Sequence, residues 1–385
     1  MRIFYLSTAL EEDDFALLNS KAIHKPNPAG QNFHNKLIQA LAKFAQVEAY
    51  SLIPSQEGWI HAKTFDPYGP LRVHYLESEQ GKLSRYLFLG RHIAKTIQGN
   101  FPDIGKGDCI IYDSLNLSLA KAAKALAKRT GAAQVAILTD APSNISGAKH
   151  AYKTSCIRLS SDADGYFALT SGLVSLFNKK GKPSLVKMGI VDKIPSCPSP
   201  LERPYLYYGG ALFVKDGTKA LIDSYLCARP NIDLVIAGHG PYETILKEKC
   251  KLSKRVHFVG QLTKKEHYAY LKNAALLINP RIYSNRLDEV SVPSKVLEYL
   301  ASGSPILSTP STPIFEAYRN SINELPNSGE DPTASLFAFF KEHIDENGQV
   351  LKIRPNLSPS RIESDLGPYA IGKSLCDFLS SLVAD

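Results

Sequence analysis

Short apolar runs alternate with longer amphipathic stretches along most of the chain, and this alternation restricts the fold more than any other feature. Residues 2–7 read as a strand. Residues 32–44 read as a helix with Phe33, Leu37, Leu41 and Phe44 on one face, and 47–52 as a strand again. Strand 109–112, helix 117–128 and strand 135–138 repeat the unit, and strands 167–170 and 185–188 close the first half. Such alternation implies a parallel sheet with helices on both faces. It breaks at 194–204, where Pro195, Pro198, Pro200 and Pro204 resist both helix and central strand. Beyond the break it restarts, with strands at 206–208, 234–237, 256–259, 276–278 and 305–308. Helices at 218–227, 242–250, 264–272 and 295–301 lie between them. The expected organisation is an α/β first domain over 1–195, a linker over 196–204 and a second domain over 205–368. A terminal helix at about 369–385 is expected to pack back on the first domain. Two doubly wound domains in tandem place a ligand cleft between the carboxyl ends of their strands.

Length supports two cores, since 385 residues exceed what one ordinary core holds. The apolar share of 44% and charged share of 21% suit a soluble globular protein. A formal charge of +8 suits a phosphate-bearing partner without choosing among nucleic acid, membrane and nucleotide. Cys109, Cys156, Cys197, Cys227, Cys250 and Cys376 form no C-x-x-C pair, which favours free thiols in a reducing compartment. Residues 1–10 are only briefly apolar and run into Glu11-Glu12-Asp13-Asp14, which does not read as a signal peptide. No apolar run approaches the roughly 18 residues of a spanning helix. The expected location is the cytoplasm, with the inner face of the plasma membrane as the variant considered below. Asn116-Leu-Ser and Asn144-Ile-Ser match the glycosylation tripeptide but carry no meaning without secretion.

The most informative stretch is Ser291-Val-Pro-Ser-Lys-Val-Leu-Glu-Tyr-Leu-Ala-Ser-Gly-Ser-Pro-Ile-Leu. Pro293 and Ser294 open a short helix that Gly303 ends. The amides at its start (Ser294, Val296, Leu297), with Lys295 beside them, make an anion site. Glu298 lies about one turn further in, where it can accept from the two hydroxyls of a ribose. The plainer reading is a capped helix with an exposed glutamate.

This segment resembles the donor-site motif of retaining GT-B glycosyltransferases of family four, in which a P-S-K-x-x-E-Y-x-A-x-G pattern is common. Neighbouring pieces match in order and spacing. Leu206-Tyr-Tyr-Gly-Gly-Ala-Leu-Phe-Val-Lys-Asp-Gly-Thr-Lys resembles the strand and loop that open the donor domain. Leu234-Val-Ile-Ala-Gly-His-Gly-Pro-Tyr-Glu resembles the strand ending in G-x-G-P-x-E. Val256-His-Phe-Val-Gly-Gln-Leu and Ala275-Leu-Leu-Ile-Asn-Pro-Arg resemble the two strands before the donor helix. The likeness is strong over 200–310. In the first half it is confined to Pro28-Ala-Gly-Gln-Asn-Phe and the region of Ala163-Asp-Gly-Tyr.

The resemblance implies a GT-B architecture, two Rossmann-like doubly wound domains facing each other across a cleft. It implies transfer of a hexose from a nucleoside diphosphate, most plausibly a UDP-sugar, with net retention at the anomeric carbon. The acceptor would be a glycan or lipid-linked, in surface or exopolysaccharide assembly. Neither cofactor nor metal is expected, and nucleic acid is not an expected partner. Negative charge on the leaving diphosphate would fall to Lys215, Lys219 and Lys295. Gly209 and Gly210 would line the donor loop, the backbone at Gln261 and Leu262 would hold the base, and Glu298 the ribose. Gly30, placed between the first strand and first helix, would let backbone approach the diphosphate. Plainer readings stand beside these: Lys219 as a solvated helix residue and Gly30 as a turn glycine.

The sequence departs from the family pattern in three places. The usual glutamate eight residues before Glu298 is Val290, with Asp288 and Glu289 just upstream. The arginine that commonly follows the first donor-domain strand is replaced within Gly209-Gly210-Ala211, leaving Lys215 and Arg281 as candidate substitutes. The histidine-bearing loop of the first domain reads Ile137-Leu-Thr-Asp140-Ala-Pro, where Asp140 either serves catalysis or forms a turn. These departures keep two alternatives open: a non-catalytic partner subunit and a sugar-nucleotide epimerase. Asp162-Ala-Asp164 matches a metal-binding D-x-D but sits where a turn is expected. Gly238-His-Gly240 lacks the third glycine of a dinucleotide fingerprint, that position being Glu243. His239 either touches the donor or caps the next helix. Over 82–97, Leu83, Tyr86, Leu87, Ile93 and Ile97 take one helical face and Lys82, Arg85, Arg91, His92 and Lys95 the other. That face either lies on an anionic membrane or packs into the core.

Overall fold

The computed structural model describes residues 1–21, 28–53, 60–77, 88–145, 147–282, 289–326 and 331–383. The chain divides into two compact units, Met1–Ile190 with Pro368–Asp385, and Val191–Gly367. Residues 187–204 carry neither helix nor strand.

The first unit is built on eight strands: β1 Arg2–Ser7, β2 Gln46–Leu52, β3 Thr64–Tyr68, β4 Leu71–Leu76, β5 Cys109–Asp113, β6 Ala133–Leu138, β7 Gly165–Ala168 and β8 Ser184–Val186. Their spatial order is β3-β4-β2-β1-β5-β6-β7-β8. Central strands such as β1 and β6 are mostly apolar on both faces and, apart from half-buried Arg2, buried, as a parallel sheet covered by helices requires. The exception is β3, which pairs antiparallel with β4. It is exposed and carries Pro67, so it has no apolar run for sequence patterning to find. Helix Leu117–Thr130 shows how local signals set the ends. Asn116 accepts from the amides of Ser118 and Leu119, and Gly131 at φ 77° terminates the helix. The last helix, Pro368–Val383, belongs to this unit. It buries Ile371, Leu375 and Leu379 and packs on the helix Pro28–Leu41.

The second unit carries β9 Tyr205–Gly209, β10 Asp233–Ala237, β11 Val256–Gly260, β12 Leu276–Asn279, β13 Ile306–Ser308 and β14 Asn323–Glu324. The order is β11-β10-β9-β12-β13-β14 and every pairing is parallel. The chain starts in the middle at β9, builds outward through β10 and β11, and returns to β12 on the other side. That reversal is the topological switch point of a Rossmann-like sheet, and it leaves a crevice beyond the carboxyl ends of β9 and β12. Leu206, Tyr208, Leu221, Ile222, Leu234, Ile236 and Phe340 form the core on one face. Among the described residues, no helix is long and apolar enough to cross a membrane.

Candidate active site

The site grows from the helix Ser294–Ser302. Pro293 precedes it in an extended conformation, and Gly303 at φ 83° ends it. Val296, Leu297, Tyr299, Leu300 and Ala301 are buried, which fixes the helix against the sheet and leaves Lys295 and Glu298 only half-buried. The first amides of a helix have no intrahelical acceptor. Val296 departs from its expected role, because its N–H donates to Pro293 O at 2.9 Å in a tightened first turn. The remaining candidate anion donors are the other amides of the first turn and the Lys295 side chain.

Lys295 folds over Tyr208 at the end of β9. Its Nζ lies 4.5 Å from the ring centroid and donates to the phenolic oxygen at 3.1 Å. Tyr208 in turn donates to Ala211 O at 2.7 Å. Burial lowers the Lys295 ammonium to about 8, the Asp216 carboxylate opposes that shift, and the Arg281 guanidinium adds to it. Arg281 and Asp216 approach at 3.9 Å and are themselves mostly buried. A lysine on the first turn of one helix, an arginine after β12 and an aspartate after β9 thus meet at the switch point.

This geometry explains the missing arginine after β9. A Cβ at Gly210 would lie 3.1 Å from both Cε and Nζ of Lys295. A long side chain there would compete with Lys295 for the same space, so the cation is supplied from the helix and from Arg281. Gly217 has the other strict requirement. It sits at φ 79°, and a Cβ would fall 2.0 Å from Pro280 O, so only glycine lets the two loops meet. Ile282 N donates to Lys215 O at 3.1 Å and completes that junction.

The three lysines expected to act together are not brought together. The Lys215 ammonium is exposed and lies 5.5 Å from the ring centroid of Phe213. Lys219 pairs with Asp223 at 3.1 Å, as the plainer reading of a solvated helix residue has it. Asp223 also holds Lys249.

On the helix's next turn, Glu298 Oε2 lies 3.3 Å from His267 Nε2, and His267 Nδ1 lies 2.8 Å from the Tyr207 hydroxyl. Tyr299 accepts from Gly209 N at 3.1 Å, which pins the donor loop to the same helix. Beyond β10, Gly238 N donates to Gly260 O at 2.8 Å, bringing that loop beside the end of β11, where Gln261 is exposed and Leu262 half-buried. His239 is exposed and bonds Glu243, the first residue of the following helix, at 2.8 Å. With Phe213, Gly240, Pro241 and Thr244 the two line a shallow depression. Val290 is half-buried and Glu289 exposed, while Asp288 lies outside the described residues.

In the first unit the expected features take mostly structural places. Asp140 Oδ1 accepts from Ala141 N at 2.8 Å and from Asn144 Nδ2 at 2.7 Å, the pattern of a turn former. Gly30 is not on a loop but in the first turn of the helix Pro28–Leu41. Asp162 is held by Lys124 and Lys180, and Asp164 accepts from Gln134 N, so the D-x-D match is a turn. Of the basic amphipathic stretch, 82–87 lie outside the described residues. In the helix Gly90–Asn100, Ile93, Ala94 and Ile97 are buried, and the helix packs on Leu117–Thr130. That apolar face is used in the core and not presented to a membrane.

Residues 203–338 match the family model of the glycosyl transferases group 1. The matched stretch lies within the second unit, Val191–Gly367. No curated protein matches it by sequence. Among solved structures it is similar to the sucrose-phosphate synthase (tll1590) of Thermosynechococcus elongatus, with a TM-score of 0.70 at 12% identity over 100% of both chains. Anabaena HepE in complex with UDP gives 0.67 at 13% identity, over 99% of this chain and 100% of that one. The lipopolysaccharide outer core galactosyltransferase WaaB gives 0.60 at 16% identity over 99% of each chain. Identities this low establish the fold, which is GT-B with two Rossmann-like α/β domains. Asp216, Tyr208 and His267 also belong to this candidate site, although no local signal in the sequence marks them. Asp216 was hidden as a turn residue before Gly217, Tyr208 as a core residue of β9 and His267 as one polar residue on an amphipathic helix.

Proposed function

We propose that the protein transfers a hexose from a UDP-sugar to a glycan or lipid-linked acceptor, with retention at the anomeric carbon, in surface polysaccharide assembly. The observation that carries this reading is the meeting of Lys295, Arg281, Asp216 and Tyr208 at the switch point, with Glu298 one turn further along the same helix. The similar structures support the donor class, since one is described in complex with UDP and glucose and another with UDP-2-fluoro glucose. The lipopolysaccharide outer core galactosyltransferase WaaB favours a glycan acceptor, whereas the sucrose-phosphate synthase favours a sugar phosphate.

In the proposed reaction the bond between the anomeric carbon and the diphosphate oxygen breaks, and its electron pair stays on the diphosphate. Lys295 and Arg281 stabilise that charge without reorganising, because both are already held in place. The acceptor oxygen bonds to the anomeric carbon from the face the diphosphate leaves, and its proton passes to the departing oxygen. The developing sugar cation resembles that of glycoside hydrolysis. No metal is needed for the leaving group in this scheme. The Ser294 and Lys295 amides face the diphosphate, Glu298 holds the ribose, and backbone at Gln261 and Leu262 holds the base. Lys215 and His239 border the site, Lys219 joins only on leaving Asp223, and neither Gly30 nor Asp140 has an assigned step.

The test is calorimetry with UDP-, GDP- and dTDP-sugars, followed by product analysis with glycan acceptors. Binding of a UDP-sugar and formation of a retained glycoside support the reading. Binding without turnover points to a partner subunit, and donor turnover without acceptor to an epimerase. No binding of any nucleoside diphosphate overturns it.

A further inference from the structure

We infer that His267 is a positioning residue for Glu298, and that the chain Tyr207–His267–Glu298 sets how the protein selects a ribose over a deoxyribose donor. The inference rests on the reading of Glu298 as the ribose-binding residue.

The geometry starts at β9. Tyr207 points to the face opposite Tyr208 and stacks on Tyr270 with ring centroids 5.3 Å apart and planes 5° from parallel. Its hydroxyl meets His267 Nδ1 at 2.8 Å. The imidazole sits on the helix Lys264–Asn273, which Thr263 and Glu266 close with a capping box. Its other nitrogen, Nε2, meets Glu298 Oε2 at 3.3 Å. The packing is close on the backbone side too. A Cβ at Gly209 would lie 2.7 Å from His267 Cε1 and 2.8 Å from the Tyr207 hydroxyl.

This arrangement selects one tautomer. A carboxylate accepts hydrogen bonds and cannot donate them, so the proton of neutral His267 belongs on Nε2. Nδ1 then carries the lone pair and accepts from the Tyr207 hydroxyl. Burial holds that phenol protonated, well above its ordinary range, so the donor is always present. The bond made by one ring nitrogen thus fixes what the other does, as in the outer shell of many histidine sites. The Glu298 side chain is 29% exposed. His267 gives it one orientation before a ligand arrives. Two vicinal hydroxyls need a carboxylate in a defined plane, whereas a single charge does not. The consequence is specificity: His267 matters for the sugar hydroxyls and not for the diphosphate.

The experiment measures affinity for UDP and for 2′,3′-dideoxy-UDP by calorimetry, on the full chain and on His267→Ala, His267→Gln and Tyr207→Phe. In the parent protein the dideoxy ligand is expected to bind roughly tenfold or more weakly, the size of a lost bond to a charged group. His267→Ala should bind UDP more weakly, leave dideoxy-UDP almost unchanged and so lose most of that ratio. Gln places an amide N–H near the position of Nε2, so His267→Gln should recover part of it, and Tyr207→Phe should fall between. Thermal midpoints report whether each variant folds. Parent and His267→Ala ratios that agree within twofold overturn the positioning role. A parent protein that binds UDP without preferring it over the dideoxy form overturns it as well, by removing Glu298 from the ribose. Failure to bind UDP at all overturns instead the donor class on which the inference stands.

Discussion

The two parallel sheets reverse direction in the same way but treat their switch points differently. In the first unit Gln31, Asn35 and His34, near the carboxyl end of β1, bond to their own protein. The Gln31 amide holds both the N–H and the carbonyl of Leu10, Asn35 reaches the same carbonyl at 2.7 Å, and His34 bonds Tyr5 at 2.8 Å. Gln31 and His34 are buried, and burial lowers the His34 imidazole from its ordinary value. In the second unit the corresponding position collects Lys295, Arg281 and Asp216 from three separate segments. Lys295 and Glu298 there stay partly open to solvent. One switch point is filled by its own side chains, and the other keeps a half-buried ammonium whose charge its surroundings disfavour until a ligand completes it. Topology alone therefore locates a crevice, and the state of its polar groups shows which crevice is prepared for a ligand.

The strongest way to break this contrast is to remove the charge. Lys295→Met should lower turnover by about a thousandfold, the scale of losing a preorganised group at the leaving oxygen. It should also stabilise the fold. Folding pushes the Lys295 pKa down from 10.5 to about 8, so the cost of burying the ammonium is fully present below pH 8 and fades between pH 8 and 10.5. Unfolding in denaturant at pH 7 should show Lys295→Met more stable by about 1–3 kcal/mol, with the gap closing at higher pH.

A second test sharpens the same point through pH. A diphosphate at Lys295 favours the charged lysine, so binding takes up a proton above pH 8. Nucleotide affinity should be flat below pH 8 and fall about tenfold per pH unit above it, until the pKa of the complex is reached. Titrations at several pH values, and in buffers of differing ionisation enthalpy, measure both the slope and the proton.

The smallest effect belongs to the closed switch point. Gln31→Leu leaves the Leu10 amide without its buried partner and should cost about 1–3 kcal/mol of stability. UDP affinity should stay within twofold of the parent value. A large loss of affinity would show that the first switch point also serves the nucleotide.

These contrasts bear on what the sequence reveals. Strand and helix periodicity placed the second-unit helices before β13 almost to the residue, but gave none of Thr312–Tyr318, Thr333–His343 and Pro359–Leu366. Helices expected at 218–227, 264–272 and 295–301 are Thr218–Ala228, Lys264–Asn273 and Ser294–Ser302. The parallel sheets followed, because continuous apolar runs need cover on both faces. The hairpin of β3 and β4 did not: β3 is an exposed edge strand with no core pattern, and the buried β4 mixes Arg72 and His74 into its apolar run. In the site, the Pro293–Gly303 segment was legible because a helix start, a lysine and a glutamate are local features. The cluster around Lys295 was only half legible. Arg281 was named as a substitute for the missing arginine, but Asp216, Tyr208 and His267 matter through contacts between β9, β12 and two helices. Conversely, the sequence offers Lys215 and Lys219 beside Lys295 as leaving-group cations, and nothing local shows that Phe213 and Asp223 engage them. Spacing along a chain finds groups that share a helix, while partners across a sheet must be seen.

The central claim is that the second switch point is a diphosphate site centred on Lys295. Its most direct measurement is calorimetric binding of UDP, with inorganic diphosphate as competitor, to the parent protein and to Lys295→Met at pH 7. The account predicts binding by the parent, displacement by diphosphate and a loss of at least tenfold in the variant. Equal UDP affinity for both proteins would contradict it.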